Sequence, residues 1–250
     1  MICVTFDNLG EVSELERGQW PAGRPLGRHF SVTRALPRIL GLLGELDLRA
    51  TFFVEGLNTE LYPDTLRELD AAGHEVAYHG WQHEPWSGLD PAAERESLER
   101  GVQAMDALGL RPVGFRPPGG ELTPATPGLL RELGFTYVSP EAGVAEPLDG
   151  LAVLPFRWPL TDALYYLPHF AGLRERCLGT RDEQPPERLR AAIEAAREGI
   201  LLFHPFLLDD DERFAVLRDA LERVKASGIP CDSTAASAKR QRDVSGPVTD

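Results

Sequence analysis

His79 and His83, in the segment EVAYHGWQHE, stand four residues apart directly after an apolar run that reads as a buried strand. If the backbone turns helically there, positions i and i+4 share one face and both imidazoles reach the same divalent ion. The spacing also fits two solvated histidines on a helix surface, so the pair alone leaves a metal site and a bland surface both open. What decides between them is the company these residues keep in the fold.

The elements that would position them are short apolar runs alternating with amphipathic stretches. ICVTF (2–6), ATFFV (50–54), HEVAY (74–78), PVGF (112–115), TYVS (136–139), LAVLPF (151–156) and GILLF (199–203) lack polar alternation, with IPCD (229–232) a weaker eighth. Runs of this kind suit strands covered on both faces. Between them, SVTRALPRILGLLGELDL and the stretches 62–72, 90–108, 124–133, 185–198 and 209–227 carry apolar residues near a 3.6-residue period. Strand and helix taking turns about seven times implies right-handed βαβ units and a parallel sheet. The expected fold is α/β, an irregular (β/α) barrel of about seven parallel strands in a single domain, with a doubly wound open sheet as the alternative.

Chemistry-bearing residues then fall in one register. Asp7 and Asn8 follow the first run, Glu55 the second, His79 the third, Arg116 the fourth, Trp158 the run at 151–156 and His204 the run at 199–203. In a parallel barrel the positions after each strand's C-terminal end face a common mouth, where active sites are built. Any one of these residues could cap a helix or end a strand; all of them together point to a shared site.

With those residues in view, the chain resembles the polysaccharide deacetylase family, the carbohydrate esterases that include chitin-oligosaccharide and peptidoglycan deacetylases. TFDN (5–8) is similar to the family's T-F-D-D motif, HGWQH (79–83) to its metal histidines and RPPGG (116–120) to its R-P-P-x-G segment. LLFHPF (201–206) matches its late strand motif, and PFRWPLTDALYY (155–166) its Trp and Asp segment. The HPF and HGWQHE versions resemble most the branch of peptidoglycan-deacetylase-like and allantoinase-like bacterial enzymes. The resemblance implies that His79 and His83 ligate a divalent metal, zinc or else cobalt or manganese, with Asn8 supplying an oxygen. It implies Asp7 as general base, His204 as general acid, Arg116 as the cation that orients Asp7, and Asp162 as a hydrogen-bond partner tuning His204. Pro118 and Gly119 of the RPPGG segment, with Trp81, Trp158 and Tyr165 near the motif loops, are the residues expected to meet substrate. The departure is Asn8, where the family carries a second Asp: a neutral carbonyl oxygen replaces an anionic ligand, which weakens a dication site.

The activity implied is metal-dependent hydrolysis of C–N bonds in N-acetyl amides of an oligosaccharide or small molecule. A cyclic imide or ureide hydrolase, with metal or without it, is the alternative within enzymes, and a catalytically silent carbohydrate-binding module the alternative outside them. No G-x-S-x-G and no Gly-rich phosphate loop is present. With 39 acidic against 26 basic residues, the net charge of −13 repels nucleic acid and anionic membranes alike. Three cysteines without metal-type spacing, a start without a secretory pattern and the lack of a long apolar stretch lead to an expectation of a cytoplasmic protein. Residues 1–235 are read as the catalytic domain and 236–250 as a mobile tail, and homo-oligomerisation is left open.

Overall fold

The computed structural model describes residues 1–143 and 148–245. Its seven strands are β1 (Ile2–Asp7), β2 (Thr51–Val54), β3 (Glu75–Tyr78), β4 (Gly114–Phe115), β5 (Tyr137–Val138), β6 (Ala152–Val153) and β7 (Gly199–Phe203). They lie in the order β6-β5-β4-β3-β2-β1-β7, and every neighbouring pair is parallel. The chain leaving β6 touches β7 through a parallel bridge between Thr161 and Leu202, which joins the two ends of the curled sheet. The barrel expectation is met and the open doubly wound sheet is not. The run at 229–232 contributes one parallel bridge, Cys231 to Ile2, rather than a strand.

Side chains alternate along a strand, so residues two apart share a face. On β1, β2, β3 and β7 one face carries Val4 and Phe6, Phe52 and Val54, Val76 and Tyr78, Leu201 and Phe203, which pack with the helices in the main core. The other face carries Cys3, Phe53, Ala77, Ile200 and Leu202, which form the smaller inner clusters. The same period, run toward the C-terminal ends, puts Asp7, Glu55, His79 and His204 in these inner columns. A sheet buried on both faces thus ends, at one mouth, in four polar rungs.

The opposite end of the barrel is closed by the helix Thr234–Ser245. The Thr234 backbone N–H and hydroxyl both donate to Thr51 Oγ1, at 2.8 and 2.9 Å, and the Ala235 N–H donates to Glu75 Oε2 at 2.8 Å. Tyr137 Oη and Thr51 Oγ1 donate to the same carboxyl group. A buried carboxyl at a helix N-terminus meets unsatisfied N–H groups and the positive end of the helix dipole. The tail expected from 236 therefore begins as docked structure, with Ser237 and Ala238 fully buried; residues 246–250 lie outside the described residues.

Candidate active site

Asp7 ends β1 and is buried. Its Oδ1 accepts a 2.6 Å hydrogen bond from Arg116 Nη1. The guanidinium is itself fixed from all sides: Nη1 donates to Thr5 Oγ1 at 3.0 Å, while Nε and Nη2 donate to Ser139 Oγ at 3.3 and 2.9 Å. Its carbon lies 3.9 Å from the Phe53 ring centroid, within the barrel. Burial raises the Asp7 carboxyl above the usual carboxylate range, although Arg116 and His204 pull it back. Burial also lowers Arg116 against the pull of Asp7, yet a guanidinium starts so high that it stays charged. The result is a carboxylate of raised basicity held in one orientation, which is what a general base requires.

His79 follows β3. Its Nδ1 lies 2.8 Å from the Arg116 carbonyl oxygen, which can only accept, so Nδ1 carries the proton and Nε2 keeps its lone pair. That Nε2 stands 3.8 Å from Asp7 Oδ2. His83 is not reached by a helical turn: Gly80 has φ +77 and His83 itself φ +66, and the intervening residues form a loop. The loop brings the two rings to 5.1 Å between centroids, at 74°, so the pairing expected from an i, i+4 helix is achieved by a left-handed bend instead. Burial pushes both imidazoles down to about 3; with His79 the Arg116 carbonyl opposes the shift, and with His83 the charges of His79 and Arg17 add to it. Both rings are neutral at ordinary pH, the form that binds metal.

Asn8 adopts φ +60, the left-handed region that Asn tolerates better than most residues. Its Oδ1 is buried without a hydrogen-bond partner. Among the described residues no group of three His, Cys, Asp or Glu side chains stands placed to hold a metal ion; the donor set here is two neutral imidazoles and one amide oxygen. An orphaned buried acceptor lining the same cleft as two neutral imidazoles fits a divalent cation, with less charge than the family's usual carboxylate would bring.

His204 follows β7, and Asp162 opens the helix Asp162–Tyr166. His204 Nδ1–H donates to Asp162 Oδ1 at 2.6 Å, the His204 backbone N–H donates to Oδ2 at 2.8 Å, and Ala163 N–H donates to Oδ1 at 2.7 Å. Burial acts to lower the imidazole, but the charge and hydrogen bond of Asp162 outweigh it, with Asp7 adding, and the net shift is upward. His204 is thereby a ring held in one orientation, with its protonated form favoured by Asp162.

These groups open into one cleft of about 560 Å³, mouth included, with aromatic walls that contain Phe156, Trp158, Phe170 and Phe206. Of the residues expected to meet substrate, Trp158 and Gly119 line it. Trp81, Tyr165 and Pro118 do not. Trp81 is buried under Arg100, whose guanidinium lies 3.7 Å from the ring centroid. Tyr165 is buried and donates to the Pro159 carbonyl at 2.9 Å, and Pro118 is the near neighbour of Gly80 while Pro117 takes the lining position. These three are packing residues because an aromatic or a proline in a motif loop anchors that loop as readily as it meets a ligand. Lining residues that carried no motif are Arg17, Leu167, His169 and Phe170. Thr5 and Ser139, which hold Arg116, were legible in principle: Thr5 sits two before Asp7, and Ser139 directly follows β5. Glu55 is fully buried beside this site, its Oε2 accepting from Asn58 Nδ2 at 2.9 Å and its Oε1 without a partner. Burial first, and the Asp7 charge among lesser causes, push its carboxyl up to about 8.

Comparison with known proteins bears on the family and the fold. A family model described as polysaccharide deacetylase matches residues 1–138. A solved structure from Mycobacterium smegmatis, described as a polysaccharide deacetylase, is 30% identical with a TM-score of 0.83, covering 100% of this chain and 92% of that one. Chitin deacetylase 1 of Saccharomyces cerevisiae is 35% identical over 103 residues, which is 41% of this chain and 34% of that protein. The chain spans about a third of the length of that curated relative. The solved structure of Puue Allantoinase shares the fold, with a TM-score of 0.69 at 21% identity over 99% of this chain and 91% of that one.

Proposed function

The chain belongs to the polysaccharide deacetylase family, and from that premise we propose that it hydrolyses the C–N bond of N-acyl amides, with Asp7 as base and His204 as acid. The observation that carries this reading is the convergence on one cleft of a carboxylate locked by Arg116 and an imidazole locked by Asp162. His79, His83 and Asn8 would hold a divalent cation, with zinc, cobalt and manganese as the candidates. When bound, such an ion supplies Lewis acidity toward the carbonyl and toward water.

The chain's own residues account for the proton movements. Asp7 takes a proton from the water that attacks the amide carbonyl, and Arg116 keeps the carboxylate ionised and aimed before the reaction. The leaving nitrogen must depart protonated, since an amide anion is a poor leaving group. His204 Nε2–H faces the cleft and gives up that proton, while Asp162 stabilises the charged ring until it does. The aromatic walls exclude bulk water from one side of the reacting carbon and strengthen these charges.

A second reading, ring opening of a small cyclic imide or ureide, draws support from the flat aromatic walls and modest volume of the cleft. A silent binding module has no use for a separately oriented base and acid. The three cysteines are free, which supports a reducing compartment and so a cytoplasmic site of action. Among the described residues no helix is long and apolar enough to cross a membrane. The test is a mass-spectrometric assay of purified protein loaded with zinc, cobalt or manganese, or stripped with chelator, against N-acetylated sugars, N-acyl amino acids, cyclic imides and ureides. Release of acetate or another acyl acid supports the proposal. Ring opening alone moves the assignment to the second reading, and binding without turnover across every panel overturns both.

A further inference from the structure

Arg17 is the lining cation left uncompensated. It follows the helix Val12–Glu16 and reaches the cleft from the mouth. Its Nε donates to the Ser13 carbonyl at 2.9 Å, which fixes the base of the guanidinium. Among the described residues Arg17 makes no ion pair, whereas the other two cations of the cleft are each matched, Arg116 by Asp7 and His204 by Asp162. Asp7 is the sole carboxylate in the lining. In a chain of net charge −13, a half-enclosed cleft whose one unmatched charge is positive is not what average composition would produce.

His169 stands at the same mouth, in the helical turn Pro168–Phe170. Burial lowers it, and Arg17's charge lowers it further, so it is a neutral ring able to donate or accept beside a fixed cation. A single guanidinium assisted by a neutral ring suits a singly charged, planar acceptor; a phosphate would call for more donors.

We propose that Arg17 binds a carboxylate on the substrate, so that the amide cleaved in this cleft belongs to a small N-acylated amino acid or amino-sugar acid rather than to a neutral sugar polymer. The proposal rests on the amide-hydrolase reading for what is cleaved, but Arg17's preference for an anion is measurable without turnover. The carboxylate would lie on the amine side of the scissile bond, at the cleft mouth, while the acyl group points toward Asp7 and His79.

The experiment compares matched ligands, N-acetyl amino acids and N-acetylmuramic acid against their methyl esters, on wild type, Arg17→Gln and Arg17→Lys. Binding is followed by isothermal titration and by quenching of Trp158, and turnover by kcat and KM where it occurs. Arg17 is exposed at the mouth, so wild type should favour the acid over the ester by roughly two- to fivefold in KM or Kd, the size of effect expected for an ion pair open to solvent. Arg17→Gln should abolish that ratio, and Arg17→Lys should retain part of it. Added salt should shrink the wild-type ratio but not that of Arg17→Gln. Equal affinity for acid and ester in wild type, or an unchanged ratio in Arg17→Gln, overturns the proposal. Inorganic phosphate competing as well as acetate overturns the assignment to carboxylate. If no amide is turned over yet the binding ratio depends on Arg17, the hydrolase reading fails and this one stands.

Discussion

Replacing Glu55 by Gln isolates the cost of burying a carboxyl next to Asp7. Glu55 is fully buried, one of its oxygens has no partner, and its carboxyl is pushed from 4.5 to about 8. Between those values the unfolded chain gives up the proton while the folded chain keeps it, so the folded state binds more protons and stability falls as pH rises. Below pH 4.5 both states are protonated and the penalty is absent; above pH 8 it is complete. Three pH units, from 5 to 8, at about 1.4 kcal/mol per unit give a loss of about 4 kcal/mol. Gln keeps the shape and the acceptor for Asn58 Nδ2 but does not titrate. Urea unfolding of chelator-treated wild type and Glu55→Gln at pH 5, 6.5 and 8 yields the difference, in which groups not coupled to Glu55 cancel and Asp7 contributes through its coupling. The variant should gain on wild type steadily toward high pH, by more than about 2 kcal/mol over the range even after local relaxation. A stability difference independent of pH would refute the argument.

Three further perturbations separate the parts of the site. Asp162→Asn removes the charge that raises His204, so the alkaline limb of the kcat profile should move to lower pH and kcat at pH 8 should fall by roughly 10- to 100-fold, with KM little changed. Asn8→Asp restores an anionic oxygen to the donor set and should tighten zinc, read by competition with a chromophoric chelator, by about tenfold or more. At the barrel floor, Ala238 is fully buried, so Ala238→Leu should overpack the docked helix and cost about 1–3 kcal/mol in urea unfolding; a true tail would tolerate it without change.

The strands and the catalytic register were legible because a doubly covered strand is an unbroken apolar run, and because a polar residue at its end breaks the run visibly, as Asp7, His79 and His204 do. The C-terminal helix was not, since it docks through Ser237 and Ala238 and through backbone N–H groups on Thr51 and Glu75, and small residues leave no apolar stripe to read. His79 and His83 lie close together by a route other than a helical turn: Gly80 permits the left-handed bend that a helical reading of the spacing overlooks. Trp81 and Tyr165 are residue types that suit a substrate wall, yet a cation–π contact with Arg100 and a hydrogen bond to the Pro159 carbonyl account for where they sit. Arg17 belongs to no motif, and only its position at the mouth marks it.

Asp7→Asn at matched metal content is the most direct test of the account. The variant preserves size and the contact with Arg116 but removes the base, so turnover of the best amide substrate should drop by roughly 10²- to 10⁴-fold while bound metal per chain stays as in wild type. Wild-type turnover in Asp7→Asn at equal metal loading would contradict the assignment of Asp7 as base and, with it, the proposed chemistry of the cleft.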